Sequence, residues 1–398
     1  MQNTLADADF RVWFRLLETP GLGRTSARVL LAACGSPQAV FDARPETLRS
    51  LVGPALATAL GQLPPAFEER LEAAQLWLAG GSDRHVLTLG DAAYPPSLLA
   101  TVDPPLLLYV QGDPAWLQRQ AVAIVGSRHA TAQGLDNARA FARALAEQGW
   151  VIVSGLALGI DGAAHEGALL AAGVNAGSAV GSAVINAAGH AAGNAAGNAG
   201  TVAVVGTGLD RVYPPAHREL ARRVAAQGAL ISEFAPGVPP LPEHFPQRNR
   251  IIAGLSQGTL VVEAALRSGS LVTARLALEA GREVFAVPGS IHAPQSRGCH
   301  ALIKQGAKLV ESAADITEEL RGPAQPPLAG LATEPDTSEP DGDASLLAAL
   351  GHDPTTLDAL QARTGWPTAE LNARLLDLEL AGQVARLPGG LFQRRMQM

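Results

Sequence analysis

The segment Phe245-Pro246-Gln247-Arg248-Asn249-Arg250-Ile251-Ile252 sets an aromatic face, two guanidinium groups and a carboxamide close together just before a helical stretch. Guanidinium forks pair with phosphate oxygens, and an aromatic ring offers a face on which any base can stack. That chemistry suits a flexible single strand of nucleic acid. The same residues would also serve as a core phenylalanine flanked by surface ion pairs. Gly126-Ser127-Arg128 supplies a second candidate, a glycine that lets a phosphate approach backbone N–H groups beside an arginine. Ser154-Gly155, followed by Asp161 and His165, and Gly206-Thr207-Gly208 with Tyr213-Pro214 are two further glycine-containing loops. Gly269-Ser270 opens a helix whose free N–H groups favour an anion, and Glu263 is a candidate ion-pair partner for an arginine. Asp161 reads as the cap of the helix carrying His165, and His165, with no metal-type neighbour one turn on, as a hydrogen-bonded structural histidine.

These loops need a scaffold that brings them together. The runs AVAIVG, WVIVSG, TVAVVG, ALISE, TLVVEA and EVFAVPG alternate with helical stretches, which predicts an α/β fold with a doubly wound, Rossmann-like parallel sheet. In such sheets ligands sit outside the carboxyl ends of the strands. The sharpest expectation is that Arg128, Arg248 and Arg250 converge there on one groove, with Phe245 as a stacking platform. Residues 1–80 read as a small helical domain with a Thr19-Pro20-Gly21-Leu22-Gly23 break, 81–320 as the sheet domain, 321–344 as an acidic tether and 345–398 as a winged helix. HVLTL and LLLYV suit a connecting strand pair. Residues 174–200, with ten Ala, six Gly and four Asn, form a low-complexity insertion expected at the amino edge of the sheet, away from the site.

A net charge of -7 argues at first against a polyanionic partner. However, residues 311–345 hold nine acids and one arginine, whereas 210–310 hold twelve Lys and Arg against seven acids. Local fields steer a polyanion more than the total does. No apolar run is long enough to span a bilayer, the amino terminus lacks a signal-peptide pattern, and Cys34 and Cys299 cannot build a disulfide framework. A cytoplasmic protein with no membrane insertion is expected. The glycine spacing lacks the dinucleotide fingerprint and no carboxylate pair or Cys/His arrangement stands out, so neither a cofactor nor an enzymatic activity is expected.

The ordered set GSR, SGLALGID with AH, GTGLDRVYP, ISE, FPQRNRII, VVEA, SGSLVTA, VPGS and GCHALIKQGA resembles the DNA-processing protein A (DprA, or Smf) family over about residues 95–310. The resemblance implies an extended Rossmann fold that dimerises, binds single-stranded DNA in a basic pocket and helps load the recombinase RecA during natural transformation. It carries over Arg128, Phe245, Arg248, Asn249 and Arg250 as DNA-contacting residues, with Gly126, Ser127, Ser154, Gly155, Gly206, Gly269 and Ser270 as pocket floor. Low sequence preference is expected, with double-stranded DNA a second candidate ligand. His300 stands where the family usually has Asn, and the 174–200 insertion is foreign to its pattern.

Two other readings compete. Sheets of this kind also build phosphoribohydrolases of the lysine decarboxylase-like type, but their PGGxGTxxE run is absent. A winged-helix transcription factor would need a basic recognition helix, whereas the second helix of the tail carries Glu370, Asp377 and Glu379.

Overall fold

Strands that are apolar at nearly every position are stable only when both faces are covered. In a computed structural model, describing residues 7–176, 200–321, 342–351, 354–387 and 390–395, this is how the six apolar runs lie. They form β3 (Ala121–Val125), β4 (Val151–Ser154), β5 (Thr201–Val204), β6 (Ala229–Ser232), β7 (Gly258–Val261) and β8 (Glu283–Ala286), buried throughout except at Glu283. The pair expected as a connector, β1 (Arg84–Thr88) and β2 (Leu107–Gly112), instead joins the same sheet. A two-residue strand, β9 (Lys308–Leu309), closes the other edge.

Strand order is β1-β2-β6-β5-β4-β3-β7-β8-β9. From β6 to β9 every neighbour is parallel, while β1 with β2 and β2 with β6 are antiparallel. The chain winds outward from β3 through β4 and β5 to β6, then returns to the other side of β3 for β7. The winding direction therefore reverses between β3 and β7, where such sheets open a crevice at their carboxyl ends.

Alternating side chains divide the core. Val122, Ile124 and Ile152 face α7 (Ala132–Glu147) and α8 (Ile160–Ala176), where Phe141, Leu145 and Ile160 are buried. Ala123, Val125 and Val153 face the other way, packing with Ile251, Ile252 and Ala274 from α10 (His244–Leu255) and α11 (Ser270–Glu279). α9 (Arg218–Gln227) connects β5 to β6, with Leu220 and Val224 buried in the cluster that includes Ala203 and Leu230 of those strands.

The amino-terminal helices are α1 (Asp7–Glu18), α2 (Arg24–Cys34), α3 (Pro37–Asp42), α4 (Pro45–Leu60) and α5 (Phe67–Ala79). Gly21, at φ 77°, makes the turn between α1 and α2 that the Pro-Gly break implied. Leu16, Leu30, Val40 and Leu60 form a core within these helices. Phe10 and Phe14 of α1 and Trp77 of α5 bury instead against Val86, Leu107 and Tyr109 of the sheet. The helical unit thus shares a core with the strands it precedes. The remaining helices of this part are α6 (Pro96–Leu99), α12 (Arg297–Lys304) and α13 (Ala313–Arg321).

The tail has its own core of Leu346, Leu350, Leu360, Leu371, Leu375, Leu378, Val384 and Phe392. It comprises α14 (Gly342–Leu350), α15 (Leu357–Thr364), α16 (Thr368–Leu380) and a three-stranded sheet of β10 (Thr355–Thr356), β11 (Val384–Leu387) and β12 (Leu391–Arg394). Thr356 caps α15 by accepting from Ala359 N at 3.2 Å, and Gly365, at φ 70°, ends it. Two helices followed by an antiparallel hairpin constitute a winged helix.

α8 runs away from the carboxyl edge and ends at Ala176, and Gly200 precedes β5 at the amino edge, packed on Trp116. Most of the low-complexity insertion, 177–199, lies outside the described residues. Replacing 177–199 with a short glycine-serine link should move the melting midpoint by less than about 4 °C, because loop length carries only a weak entropic penalty. A drop well beyond that in a thermal melt would show that the insertion supports the sheet.

Candidate nucleic-acid interface

α10 begins three residues before Gln247 and tolerates Pro246 because the first turn of a helix needs no N–H from it. The Arg-Asn-Arg triplet therefore lies inside a helix rather than ahead of one. His244 anchors the start: its ring stacks on Phe234, with centroids 3.9 Å apart, and Nδ1 lies 3.2 Å from Gly206 O. Phe245 follows, half-buried above Gly206, where a Cβ would come within 3.3 Å of the ring.

Arg128, exposed on the loop after β3, places its guanidinium 5.6 Å from the centre of the Phe245 ring. Tyr213, 45% exposed, continues the array with its ring 5.6 Å from Phe245 at an interplanar angle of 40°. A cation and two partly exposed rings thus line the carboxyl edge of the sheet. Exposed aromatic faces next to a guanidinium can stack bases and pair the phosphates between them.

Arg248 does something different. It is 5% exposed, its guanidinium donates to Val204 O at the end of β5, and it fills the space that a side chain on Gly155 would occupy. Burial pulls its pKa down to about 10, against the attraction of Asp161, so it stays cationic at neutral pH. Burial pushes the Asp161 carboxyl up, opposed by Arg248 and by the N–H groups of Ala157 and Gly155. Asp161 Oδ2 accepts from Gly155 N at 3.1 Å. Its carboxylate ties the turn after β4, where the sequence suggested a helix cap.

Arg250, two residues on, points to the opposite side of α10. It makes a two-oxygen ion pair with Glu233 at 2.5 Å and donates to Asp103 O at 2.7 Å. Arg24 of α2 pairs with Asp103 at 2.9 Å and reaches Gln247 Oε1 at 3.3 Å, and Arg28 also pairs with Asp103. Burial alone would raise the Asp103 carboxyl, but the Arg28 hydrogen bond and the charges of Arg250 and Arg24 hold it below its ordinary value. Among the three arginines expected in one groove, only Arg128 is exposed.

The other expected residues divide similarly. Gly126 and Ser127 sit half-buried at the switch point, with Ser127 Oγ accepting from His129 N at 3.1 Å. Ser154 is fully buried and donates to Ile124 O at 2.6 Å. Asn249 is half-buried on α10. Gly269 precedes α11 with open space where a side chain would be, and Ser270 is buried with its hydroxyl 2.7 Å from Ser268 Oγ. The sequence assigned no role to Asp103, Glu233, Arg24 or Arg28, because they are distant in the chain and share no local pattern. Glu263 bonds Thr131 rather than an arginine, through Thr131 N at 3.0 Å and Thr131 Oγ1 at 2.5 Å.

The described fold is a Rossmann-like α/β sheet protein with an appended winged helix. The family model of DNA recombination-mediator protein A matches residues 85–321, and that of the DprA winged helix domain matches 323–390. Protein Smf of Escherichia coli (strain K12) is 43% identical over 337 residues, spanning 82% of this chain and 81% of the relative. The DNA processing protein DprA of Streptococcus pneumoniae (strain ATCC BAA-255 / R6) is 44% identical over 229 residues, 58% of this chain and 72% of its own. The X-ray structure of DprA from Streptococcus pneumoniae aligns with a TM-score of 0.63 at 33% identity, covering 79% of this chain and 98% of that one. The chain belongs to the DprA/Smf family of DNA processing proteins.

His165, fully buried behind this edge, carries a pH consequence. Thr201 Oγ1 donates to Ile152 O at 2.6 Å, so His165 Nδ1, 2.7 Å away, must be the donor to Thr201. Nε2 then holds a bare lone pair, and it has no hydrogen-bond partner. Burial first, then the charges of His217 and Arg248, push the imidazole down to about 3. The unfolded chain takes up a proton near pH 6.5 while the folded one does not, so this stability is present above pH 6.5 and declines as pH falls towards 3. Between pH 7 and 5 denaturant titrations should show the parent losing roughly 1–2 kcal/mol more than His165→Asn. Parallel losses in the two proteins would remove His165 as the cause.

Proposed function

We propose that the carboxyl edge of the sheet binds single-stranded DNA and presents the bound strand to the recombinase RecA, without catalysing a reaction. The observation that carries this reading is the placement of the exposed Arg128 guanidinium over Phe245 beside the exposed Tyr213. Arg128 pairs a phosphate, and Phe245 and Tyr213 receive bases. Stacking and phosphate pairing tolerate any base, so sequence preference is low. Gly126, Ser127, Gly206, Asn249, Gly269 and Ser270 border the path of the strand, while Arg248 and Arg250 hold α10 in place. The name of the matching family, a recombination mediator, supports the RecA step. The protein acts in the cytoplasm as a homodimer whose two sites engage one strand with avidity. The acidic α16 favours an auxiliary role for the winged helix, in partner contacts or in binding double-stranded DNA.

A nucleotide-hydrolysing enzyme is disfavoured by a specific feature. In sheets of this class a nucleotide phosphate sits at the amino end of the helix after the first parallel strand. Here that helix is α7, and the Glu263 carboxylate already occupies its approach.

Binding of labelled oligothymidylate across a salt series tests the assignment. Arg128→Ala should weaken binding and flatten the log-log salt dependence by about 0.7 for one lost phosphate contact. Phe245→Ala should lose stacking worth about 1–3 kcal/mol with the salt slope almost unchanged. If Phe245→Ala reduces affinity only in proportion to lost folded protein, the ring is core. If Arg128→Ala keeps the parent affinity and slope, the edge is not the DNA site.

A further inference from the structure

The loop after β3 carries Arg128 between two fixed ends, and both ends bind the same residue. Ser127 N donates to the backbone oxygen of Glu263 at 2.7 Å. Four residues on, Thr131 N donates to Glu263 Oε2 at 3.0 Å, and the Thr131 hydroxyl donates to Oε1 at 2.5 Å. The hydroxyl can donate there because its oxygen accepts from Gly134 N at 3.0 Å, the N-terminal cap of α7. Gly134 has no room for a side chain, since a Cβ would collide with the Glu263 carboxylate. The carboxylate is therefore packed into place as well as hydrogen-bonded. Its charge also lies at the positive end of a sixteen-residue helix.

We propose that Glu263 is the positioning residue for Arg128: its backbone oxygen and its carboxylate close the loop 127–131 at both ends and so aim the Arg128 guanidinium over the Phe245 ring. The proposal rests on the reading of this edge as the DNA site. Two neighbouring contacts brace the same arch. Ile160 N donates to Ser127 O at 3.2 Å, and Gln295 Nε2 donates to His129 O at 3.2 Å. Neither reaches Thr131, which is tied to α7 as its N-cap through Gly134 N and Leu135 N, and to the sheet by the Glu263 carboxylate. A clamp of this kind settles the loop geometry before DNA arrives. A negative charge near a DNA site would by itself repel phosphate, so its removal would tighten binding. Positioning demands the opposite sign, which separates the two roles.

The experiment uses the full chain and its Glu263→Ala, Glu263→Gln, Arg128→Ala and Arg128→Ala/Glu263→Ala variants. Oligothymidylate affinity is measured across a salt series, and amide hydrogen exchange is followed over 127–131. Glu263→Ala should weaken binding about tenfold, a loss on the scale of a hydrogen bond to a charged group, and flatten the salt slope as Arg128→Ala does. Exchange over 127–131 should rise. Glu263→Gln should retain most affinity and protection, because its amide oxygen still accepts from Thr131 N and its amide N–H can donate to the Thr131 hydroxyl. The double variant should bind no more weakly than Arg128→Ala. Unchanged or tighter binding by Glu263→Ala, with exchange over 127–131 like the parent's, overturns the clamp. Parent-like binding by Arg128→Ala instead overturns the DNA assignment, and the exchange comparison then decides the clamp by itself.

Discussion

A guanidinium buried away from water must find acceptors and a counter-charge, or it destabilises the fold by several kcal/mol. Arg248 meets most of this demand with the carbonyl of Val204 as acceptor and the charge of Asp161 as counter-ion, in a space kept open by Gly155, while its Nε finds no partner. Those partners come from the ends of β5 and β4 and the start of α8. Satisfying one buried charge therefore fastens α10 across the carboxyl ends of two neighbouring strands. Phe245 sits three residues earlier on the same face of α10, so the docking that buries Arg248 also lowers Phe245 onto Gly206 and brings it beside Arg128. The exposed array depends on a residue that is itself hidden.

The far side of α10 has a second electrostatic anchor. Arg250 shares Asp103 with Arg24 and Arg28 of α2, and takes Glu233 on its other side. Three cations gather around two carboxylates, which keeps the cluster from leaving any buried charge without an opposite. Together with Phe10 and Trp77 packed on Tyr109, it joins the amino-terminal helices to the sheet. The helix that presents Phe245 is thus held from both faces, and a rigid platform loses little freedom when a strand binds.

Much of this architecture was legible because the physics is local. Continuous apolar runs that end in glycine announce buried parallel strands and ligand-facing loops, and six of nine strands in the main sheet were visible in that way. β9 was not, since two residues in Lys308–Leu309 carry no period. The convergence of three arginines failed for an equally simple reason. Successive helical residues turn by about 100°, so Arg248 and Arg250 must face nearly opposite directions once their segment is helical. Reading the triplet as a loop ahead of the helix concealed this. Asp103, Glu233 and Glu263 were beyond reach because their roles arise only from tertiary placement. The acidic total charge was misleading until its position in 311–345 was considered.

On the proposed reading the bound strand lies on Arg128, Phe245 and Tyr213 rather than on the winged helix. Ultraviolet cross-linking with oligonucleotides carrying 5-bromodeoxyuridine, followed by peptide mapping of the full chain, addresses that placement directly. Adducts are expected on the peptides containing Tyr213 and Phe245, lost in competition with unmodified oligothymidylate. Adducts confined to residues 342–395, with none on the carboxyl edge of the sheet, would contradict it.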